Sequence, residues 1–417
     1  MHGVRGFIRS LAITIAVIAA PAVAESSTTA AVSLSQLALE KVLQDGREVF
    51  GDIHVSSTNG SSYADWMSEI PDETLLAHLS IPGIHDAATW NYSQDTQDSL
   101  KFATRCDGVE QKEAMVYRCQ RSGIAEALDA GVRFFDLRVA AGTSGEDVVF
   151  WHSAALVSAR ATITDVLFGF YDWLSRHPSE ALLLSFQYEG GTQANATFDA
   201  AAQGLLVDAL TSDAAKLFIR QNSGVLGTLG ESRGKIVLLR RFDLDGEDEG
   251  KGVKLPGLHF SPSKWPDNDP EGFELAYNEQ TNATAYVEDY YEPDALGETS
   301  SVSDNVGAKV DAVKKHLKQA ATSYSTNSSA SNSGARRDSL FITFTSAEHN
   351  TNDPPVYPQT MALGNGTDIT PDGGVNHQLV SLLGGELKGS RLGVVVVDFF
   401  DEPAELVGLI LGSQPTL

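Results

Sequence analysis

Short apolar runs rich in β-branched residues recur along the chain, and they constrain its fold more than any other feature. Most are continuously apolar rather than alternating, which is typical of strands buried on both faces of a parallel sheet. The runs are Leu75–Ile81, Val132–Ala140, Val148–His152, Ala181–Gln187, Lys235–Phe242, Thr284–Tyr290, Leu340–Thr345 and Leu392–Phe399.

Helical patterns lie between several of these runs, at Ile124–Ala130, Thr164–Arg176, Phe198–Arg220 and Val310–Ala321. Eight buried strands with intervening helices predict an α/β fold, a single TIM-type (β/α)8 barrel over residues 66–417 that could be irregular. An open doubly wound sheet would favour a glycine-rich nucleotide loop after the first strand, and the sequence has none there. A Ser- and Asn-rich stretch at about 322–337 predicts a flexible surface insertion.

The first residues have the pattern of a secretory signal peptide. Residues 1–24 combine a basic start, a short apolar run and a small-residue cleavage site at Ala22-Val23-Ala24. Residues 25–65 are rich in Ser and Thr and are expected to be a tail with one helix near Leu34 to Gln44. We therefore expect a secreted, extracellular protein.

Secretion agrees with two further features. Glycosylation sequons recur along the chain, at Asn59, Asn91, Asn195, Asn282, Asn327 and Asn365. Cys106 and Cys119 lie in one short polar segment, and a disulfide between them is expected in an oxidising compartment.

The net charge of -25 limits the partners that the surface can attract. An acidic surface repels phosphate backbones, so nucleic acid is not an expected partner. It also repels anionic lipid, so any lipid chemistry must depend on local basic groups at the site. No motif demands a dimer, and we expect a monomer.

Barrel enzymes build their active sites at the carboxyl ends of the strands, and here these ends carry imidazole, guanidinium and carboxylate groups. The candidates are His85, Asp86, Asp136, Arg138, His152, Arg241, Asp289, Tyr291 and Asp398. Such a set suits phosphodiester cleavage, since a hydroxyl that attacks phosphorus must lose a proton and the leaving alkoxide must gain one. Imidazole does either near neutral pH, and a planar guanidinium meets two non-bridging oxygens.

The motifs resemble those of the bacterial phosphatidylinositol-specific phospholipase C family, an X-domain barrel. The resemblance is carried in collinear order, over about residues 72–402, by Ser80–Asp86, Gly131–Arg138, the strand ending in His152, His177–Ser185, Arg233–Arg241, Trp265–Asn268, Phe341–Ser346 and Arg391–Asp398.

This resemblance implies a role for each residue at the reacting centre. His85 is similar to the general base that takes the proton of the inositol 2-hydroxyl, and Asp398 to the aspartate that orients it. His152 resembles the general acid, supported by Asp86. Arg138 resembles the phosphate clamp.

The resemblance also implies residues beside that centre and a substrate. Asp136 lies beside the clamp in the family pattern, and Arg241, Asp289 and Tyr291 match positions that hold the inositol ring. The implied substrate is phosphatidylinositol or a glycosyl-phosphatidylinositol anchor, met by transient contact with a membrane surface.

Two departures from the family pattern bear on the chemistry. Where the calcium-dependent branch has an acidic residue this chain has Arg138, which cannot ligate a cation, so we expect no metal and no cofactor. The family's lysine is replaced at Gln187, which we assign to substrate binding. Two alternatives stay open: a related barrel that cleaves another head group with a divalent metal, and a secreted glycoprotein that binds inositol or lipid with weak catalysis.

Overall fold

The computed structural model describes residues 22–52, 63–103, 112–190, 192, 197–246, 253–294, 300–328 and 339–414. Most of the predicted signal peptide, the sequons Asn59 and Asn195, Cys106 and most of the predicted insertion at 322–337 lie outside the described residues. Among the other sequons, Asn91, Asn282 and Asn365 are exposed.

Strand pairing joins all eleven strands of the described residues. The strands are β1 (Ile81–Ile84), β2 (Phe134–Ala141), β3 (Val148–His152), β4 (Ala155–Leu156), β5 (Ala181–Tyr188), β6 (Lys235–Arg241), β7 (Leu258–His259), β8 (Phe273–Asn278), β9 (Ala283–Glu288), β10 (Leu340–Phe344) and β11 (Val394–Val397). Along the sheet the order is β7-β6-β5-β2-β1-β11-β10-β9-β8, with β3 attached to β2, and β4 to β3, outside this main path. From β7 to β9 every neighbouring pair is parallel, whereas β8 runs antiparallel to β9. The sheet curls into a nearly closed TIM-type barrel in which β7 and β8 face each other without a ladder between them in the described residues.

Helices surround this barrel. They are α1 (Ala22–Phe50), α2 (Gln94–Ser99), α3 (Ala114–Tyr117), α4 (Ile124–Asp129), α5 (Ile163–Arg176), α6 (Ala200–Thr211), α7 (Asp213–Phe218), α8 (Val302–Ser328), α9 (Pro358–Leu363), α10 (Val375–Gly384) and α11 (Leu406–Leu411). The helix predicted at Phe198–Arg220 is divided, because the side chain of Ser212 accepts a hydrogen bond from the backbone of Ala215 and so caps a new helix. None of the helices in the described segments is long and apolar enough to cross a bilayer.

Alternate residues of each barrel strand belong to different cores. In β6, Ile236 and Leu238 pack toward the helices, whereas Val237 and Leu239 fill the interior of the barrel. Both faces of the strand are therefore buried, because side chains alternate across a strand. This double burial explains why the strand runs of the sequence are continuously apolar.

Two of the strand predictions need correction. The run Leu75–Ile81 becomes a strand only from Ile81, because Leu76–His78 form a short 3-10 turn that closes the interior core. Val148–His152 is a strand, but it is not a barrel strand: β3 pairs antiparallel with β2 after a short turn, a connection too short for a parallel crossover. The barrel position is filled instead by β7, which has only two residues and gives no signal in the sequence.

The segment predicted to be a tail is also corrected in part. The end of α1 contributes Val49 and Phe50 to the core, where the ring of Phe50 lies 5.1 Å from that of Phe170 in α5. An apolar pair at the end of a helix buries itself against a neighbouring helix, so residues 49 and 50 are part of the globular unit.

Candidate active site

His85 follows β1 directly, and its imidazole is held from both sides. Its Nδ1 lies 2.9 Å from Oδ1 of Asp398, the residue that follows the neighbouring strand β11. Arg138, on β2, donates from Nη2 to Nε2 of His85 at 2.8 Å. Because a guanidinium only donates, Nε2 must accept, which places the ring proton on Nδ1 facing the carboxylate. This is the tautomer that a general base requires.

The electrostatic surroundings of His85 favour the neutral ring. Burial lowers the pKa of His85 well below its ordinary value, and the guanidinium of Arg138 lowers the same pKa further. Both effects disfavour the imidazolium in the protein without a ligand. His85 therefore accepts a proton at neutral pH rather than holding one already.

His152 ends β3, and its environment acts in the opposite direction. Its Nδ1 lies 2.9 Å from Oδ2 of Asp86 and donates to the backbone carbonyl of Tyr117 at 2.8 Å. Burial lowers the pKa of His152, but the charge of Asp86 and the hydrogen bonds to Asp86 and to the carbonyl of Tyr117 together outweigh it, so the pKa is raised above its ordinary value. The ring is thus suited to donate a proton.

The two imidazoles face each other. Their ring centroids lie 6.0 Å apart with the planes at 89°. Two titratable groups whose environments move their pKa values apart are the arrangement expected of a base and an acid.

Asp136 joins the two arginines that line this region. Its Oδ2 accepts from Nε of Arg138 at 3.1 Å, and its Oδ1 accepts from Nη1 of Arg241 at 3.4 Å. Arg138, Gln187 and Arg241 lie at one level of the barrel, since Gln187 of β5 is in register with each arginine on the neighbouring strands. One buried carboxylate therefore holds two guanidiniums at the same height beside His85.

The residues predicted to hold the inositol ring form one side of the same cavity. Arg241 stacks on the ring of Trp265 at 3.8 Å, and Trp265 donates through Nε1 to Asp289 at 2.9 Å. Tyr291 donates through its hydroxyl to Asp267 and keeps 38% of its surface exposed. The cavity has a volume of about 550 Å³ and is lined by these residues together with His85, Arg138, His152, Gln187 and Asp398.

The structure adds functional groups that the sequence reasoning missed. Glu189 lines the cavity with Oε1 at 3.7 Å from Nη1 of Arg138, and burial raises its pKa. The period of two along a strand would have indicated it, because Glu189 follows the assigned Gln187 on the same face. Trp265 belongs to one of the motifs that carry the resemblance but was assigned no role from the sequence, and it contacts both Arg241 and Asp289.

Gln187 lines the cavity as predicted, and it offers an amide where the family has a lysine. Its Nε2 donates to Glu189 at 3.4 Å, while its Oε1 has no hydrogen-bond partner among the described residues. The predicted disulfide from Cys119 to Cys106 stays a prediction, because Cys106 lies outside the described residues.

Comparison with known proteins gives the same picture as the motifs. Residues 111–242 match the sequence model of the phosphatidylinositol-specific phospholipase C, X domain. The human PI-PLC X domain-containing protein 1 is 30% identical over 153 residues, which cover 34% of this chain and 46% of that protein. The 1-phosphatidylinositol phosphodiesterase of Listeria monocytogenes is 28% identical over 182 residues, which cover 43% of this chain and 50% of that protein. The chain thus matches half or less of the length of these relatives.

Solved structures extend the likeness in fold to most of the chain. A double mutant of the phosphatidylinositol-specific phospholipase C from Staphylococcus aureus superposes with a TM-score of 0.62 at 19% identity, covering 85% of this chain and 98% of that one. The enzyme of the same description from Listeria monocytogenes gives a TM-score of 0.53 at 19% identity, covering 85% and 100%. The TIM-type barrel predicted from the sequence is confirmed, and so is the resemblance to this family.

Proposed function

We propose that this chain, which resembles the phosphatidylinositol-specific phospholipases C in sequence and fold, cleaves phosphatidylinositol or glycosyl-phosphatidylinositol phosphodiesters. The attacking group is the inositol 2-hydroxyl. The observation that carries the proposal is the pair of facing imidazoles with oppositely shifted pKa values, beside the guanidinium of Arg138. Base, acid and positive charge are the groups that the reaction needs.

The first step is removal of a proton from the 2-hydroxyl by Nε2 of His85. Arg138 must leave Nε2 for the non-bridging oxygens of the phosphate, a move that frees the base as the anion binds. His85 keeps its Nδ1 proton, and Asp398 accepts the hydrogen bond from it and stabilises the imidazolium that forms. The hydroxyl oxygen then bonds to phosphorus.

The second proton transfer goes to the leaving group. As the bond from phosphorus to the diacylglycerol oxygen breaks, His152 donates its Nε2 proton to that oxygen, while Asp86 and the carbonyl of Tyr117 hold Nδ1. The products are diacylglycerol and a cyclic inositol phosphate. Each such transfer contributes roughly 10²- to 10⁴-fold to the rate.

In this proposal, side chains of the protein supply the positive charge that neutralises the phosphate. Arg138 supplies a planar fork for two oxygens, and Arg241 lies close enough to share Asp136 with it. A guanidinium cannot ligate a cation, which supports a reaction without a metal ion. Arg241, Asp289, Trp265 and Tyr291 then receive the inositol ring.

Secretion is part of the proposal. The signal-peptide pattern at residues 1–24 and the exposed sequons Asn91, Asn282 and Asn365 support a glycosylated extracellular monomer that meets its lipid at a membrane surface.

The test is a panel of phosphodiesters followed by phosphorus NMR in the presence of EDTA. Phosphatidylinositol or an anchor glycolipid should give a cyclic phosphate signal, which His85→Ala should abolish. His177→Ala is the matched control, because His177 precedes β5 at the opposite end of the barrel. Turnover that needs a divalent cation and survives Arg138→Ala would instead select the metal-dependent alternative, and no turnover with retained inositol binding would select the binding module.

A further inference from the structure

We propose that Asp86, Cys119 and His152 form an inhibitory site for a thiophilic divalent cation such as Zn²⁺ when Cys119 is reduced. Cys119 has no part in the reaction proposed above, yet its thiol lies between the groups that support the acid and the base. The effect on turnover rests on the proposed function, whereas binding of the ion does not.

The geometry of the three groups suits a tetrahedral ion. Sγ of Cys119 lies 3.9 Å from Nδ1 of His152, and Nδ1 lies 2.9 Å from Oδ2 of Asp86. One ligand atom from each residue lies within 4.8 Å of the other two. Zinc bonds of ~2.0–2.3 Å at tetrahedral angles place two ligand atoms ~3.5 Å apart, so the side chains need only small movements.

A second observation points to a cation at this place. Asp86 is fully buried, and neither of its carboxylate oxygens has a hydrogen-bond partner among the described residues, although Oδ2 makes the ion-pair contact with His152. An unpaired carboxylate oxygen in a buried position carries a desolvation penalty that a bound cation would offset. Thiolate, imidazole and carboxylate together form a ligand set that zinc takes in proteins.

The ion has a route to the site. Cys119 and His152 both line the 550 Å³ cavity that receives the substrate. The same thiol also groups with His85 and Asp398 within 4.8 Å. An ion that enters the cavity therefore meets the sulfur beside either histidine.

Binding would remove the general acid. The thiol proton and the Nδ1 proton of His152 leave as the ion binds, because zinc takes thiolate and neutral imidazole. His152 is then held on the ion through Nδ1 with its remaining proton on Nε2, so the imidazolium that would donate a proton to the leaving group can no longer form. Hard cations such as Ca²⁺ and Mg²⁺ prefer oxygen ligands and should not have this effect. A disulfide from Cys119 to Cys106 would remove the ligand, so the inhibition belongs to the reduced chain.

The experiment compares two full-length variants that differ at the sulfur alone. Cys106→Ser keeps Cys119 as a thiol whatever the redox conditions, and Cys106→Ser/Cys119→Ser removes that thiol as well. Each is freed of metal, checked by circular dichroism, and titrated with Zn²⁺ while cyclic phosphate formation is followed. In parallel, Co²⁺ is added and the thiolate-to-cobalt absorption band is recorded.

The expected result is one strong Zn²⁺ equivalent in Cys106→Ser, a thiolate–cobalt band, and inhibition reversed by EDTA. Outer-shell partners alone change metal affinity ~10- to 100-fold, so loss of the sulfur ligand should raise the inhibitory Zn²⁺ concentration at least ~10-fold. Equal Zn²⁺ sensitivity of the two variants, or no thiolate–cobalt band in Cys106→Ser, would overturn the proposal. A band without any turnover of either variant would count against the proposed function and leave the metal site supported.

Discussion

The two halves of the candidate acid–base pair are held by different kinds of structure. His85 and Asp398 follow β1 and β11, which are parallel neighbours paired from Ile81 with Val394 to Ile84 with Val397. His152 ends β3, which lies off the main path of the sheet and pairs antiparallel with β2 and β4. The base is thus part of the barrel, whereas the acid is brought to it by a hairpin and by the carbonyl of Tyr117.

The position of His85 follows from the barrel fold, whereas the position of His152 depends on segments outside the barrel. Pairing of neighbouring strands in register places the proposed base, its aspartate and the two arginines together, because all follow or lie on strands of one sheet. The acid depends on the turn after β2, on α3 and on the left-handed backbone of Asp86 at φ 38°. Changes on the base side should therefore be severe and general, and changes on the acid side should depend on the leaving group.

The largest effect is expected for His85→Ala. The variant lacks the neutral imidazole nitrogen that lies beside the phosphate clamp and takes the hydroxyl proton in the proposed mechanism, so kcat/KM should fall by about 10⁴. The loss should be the same for phosphatidylinositol and for an inositol phosphodiester with an aryl leaving group, measured by steady-state kinetics. A small loss on either substrate would show that His85 is not the base.

His152→Ala should distinguish the role of His152 from that of His85. Its kcat/KM on phosphatidylinositol should fall by roughly 10²- to 10³-fold, since an alkoxide must then leave unprotonated. On the aryl substrate, whose phenolate leaves without a proton, the loss should be under ~10-fold. Equal losses on both substrates would contradict the assignment of His152 as the acid.

Asp86→Asn should change the pH dependence more than the maximal rate. The carboxylate raises the pKa of His152 against the effect of burial, so its removal lowers that pKa. Since the acid must be protonated, the alkaline limb of the kcat/KM profile should move to lower pH, with a loss of about 10-fold at pH 7.

Asp398→Asn is the matched control for this shift. It removes a carboxylate from the base, so it should reduce the rate while the alkaline limb stays where it is. An alkaline limb that moves in Asp398→Asn but not in Asp86→Asn would reverse the two roles.

The smallest effect is expected for Tyr291→Ala at the outer side of the cavity. Loss of an exposed stacking ring should raise KM by about three- to tenfold, equivalent to roughly 0.5–1.5 kcal/mol, and leave kcat unchanged. Tyr291→Phe, which keeps the ring and loses the contact with Asp267, is the control and should have KM near that of the parent chain. A fall in kcat for either variant would place Tyr291 at the reacting centre instead.

Much of the fold could be predicted because double burial leaves a strong pattern. The runs at Ala181–Gln187, Lys235–Phe242 and Leu340–Thr345 lie within one or two residues of β5, β6 and β10. The strands β7 and β8 and the antiparallel direction of β3 were missed. β7 has only two residues, β8 buries only Leu275 fully, and apolar periodicity does not encode strand direction.

The candidate site shows the same limit. Residues at strand ends converge because the barrel makes them converge, and His85, Arg138 and Asp398 were predicted on that ground. The strand period would have indicated Glu189 beside Gln187, whereas the contact of Trp265 with Arg241 joins distant parts of the chain and has no local signature. The position of Cys119 beside His152 was likewise beyond the sequence.

In the pocket without substrate, the hydrogen bond from Arg138 occupies Nε2 of His85, the atom that would accept a proton. Under the proposed function, a free polyol offers the catalyst a hydroxyl but nothing to draw the guanidinium away, so the base stays capped. An inorganic anion uncaps the base but brings no hydroxyl to deprotonate. Reaction then requires a hydroxyl and an anionic group on the same molecule. Free sugars and inorganic salts each carry only one of these groups, so neither would lead to proton transfer by His85.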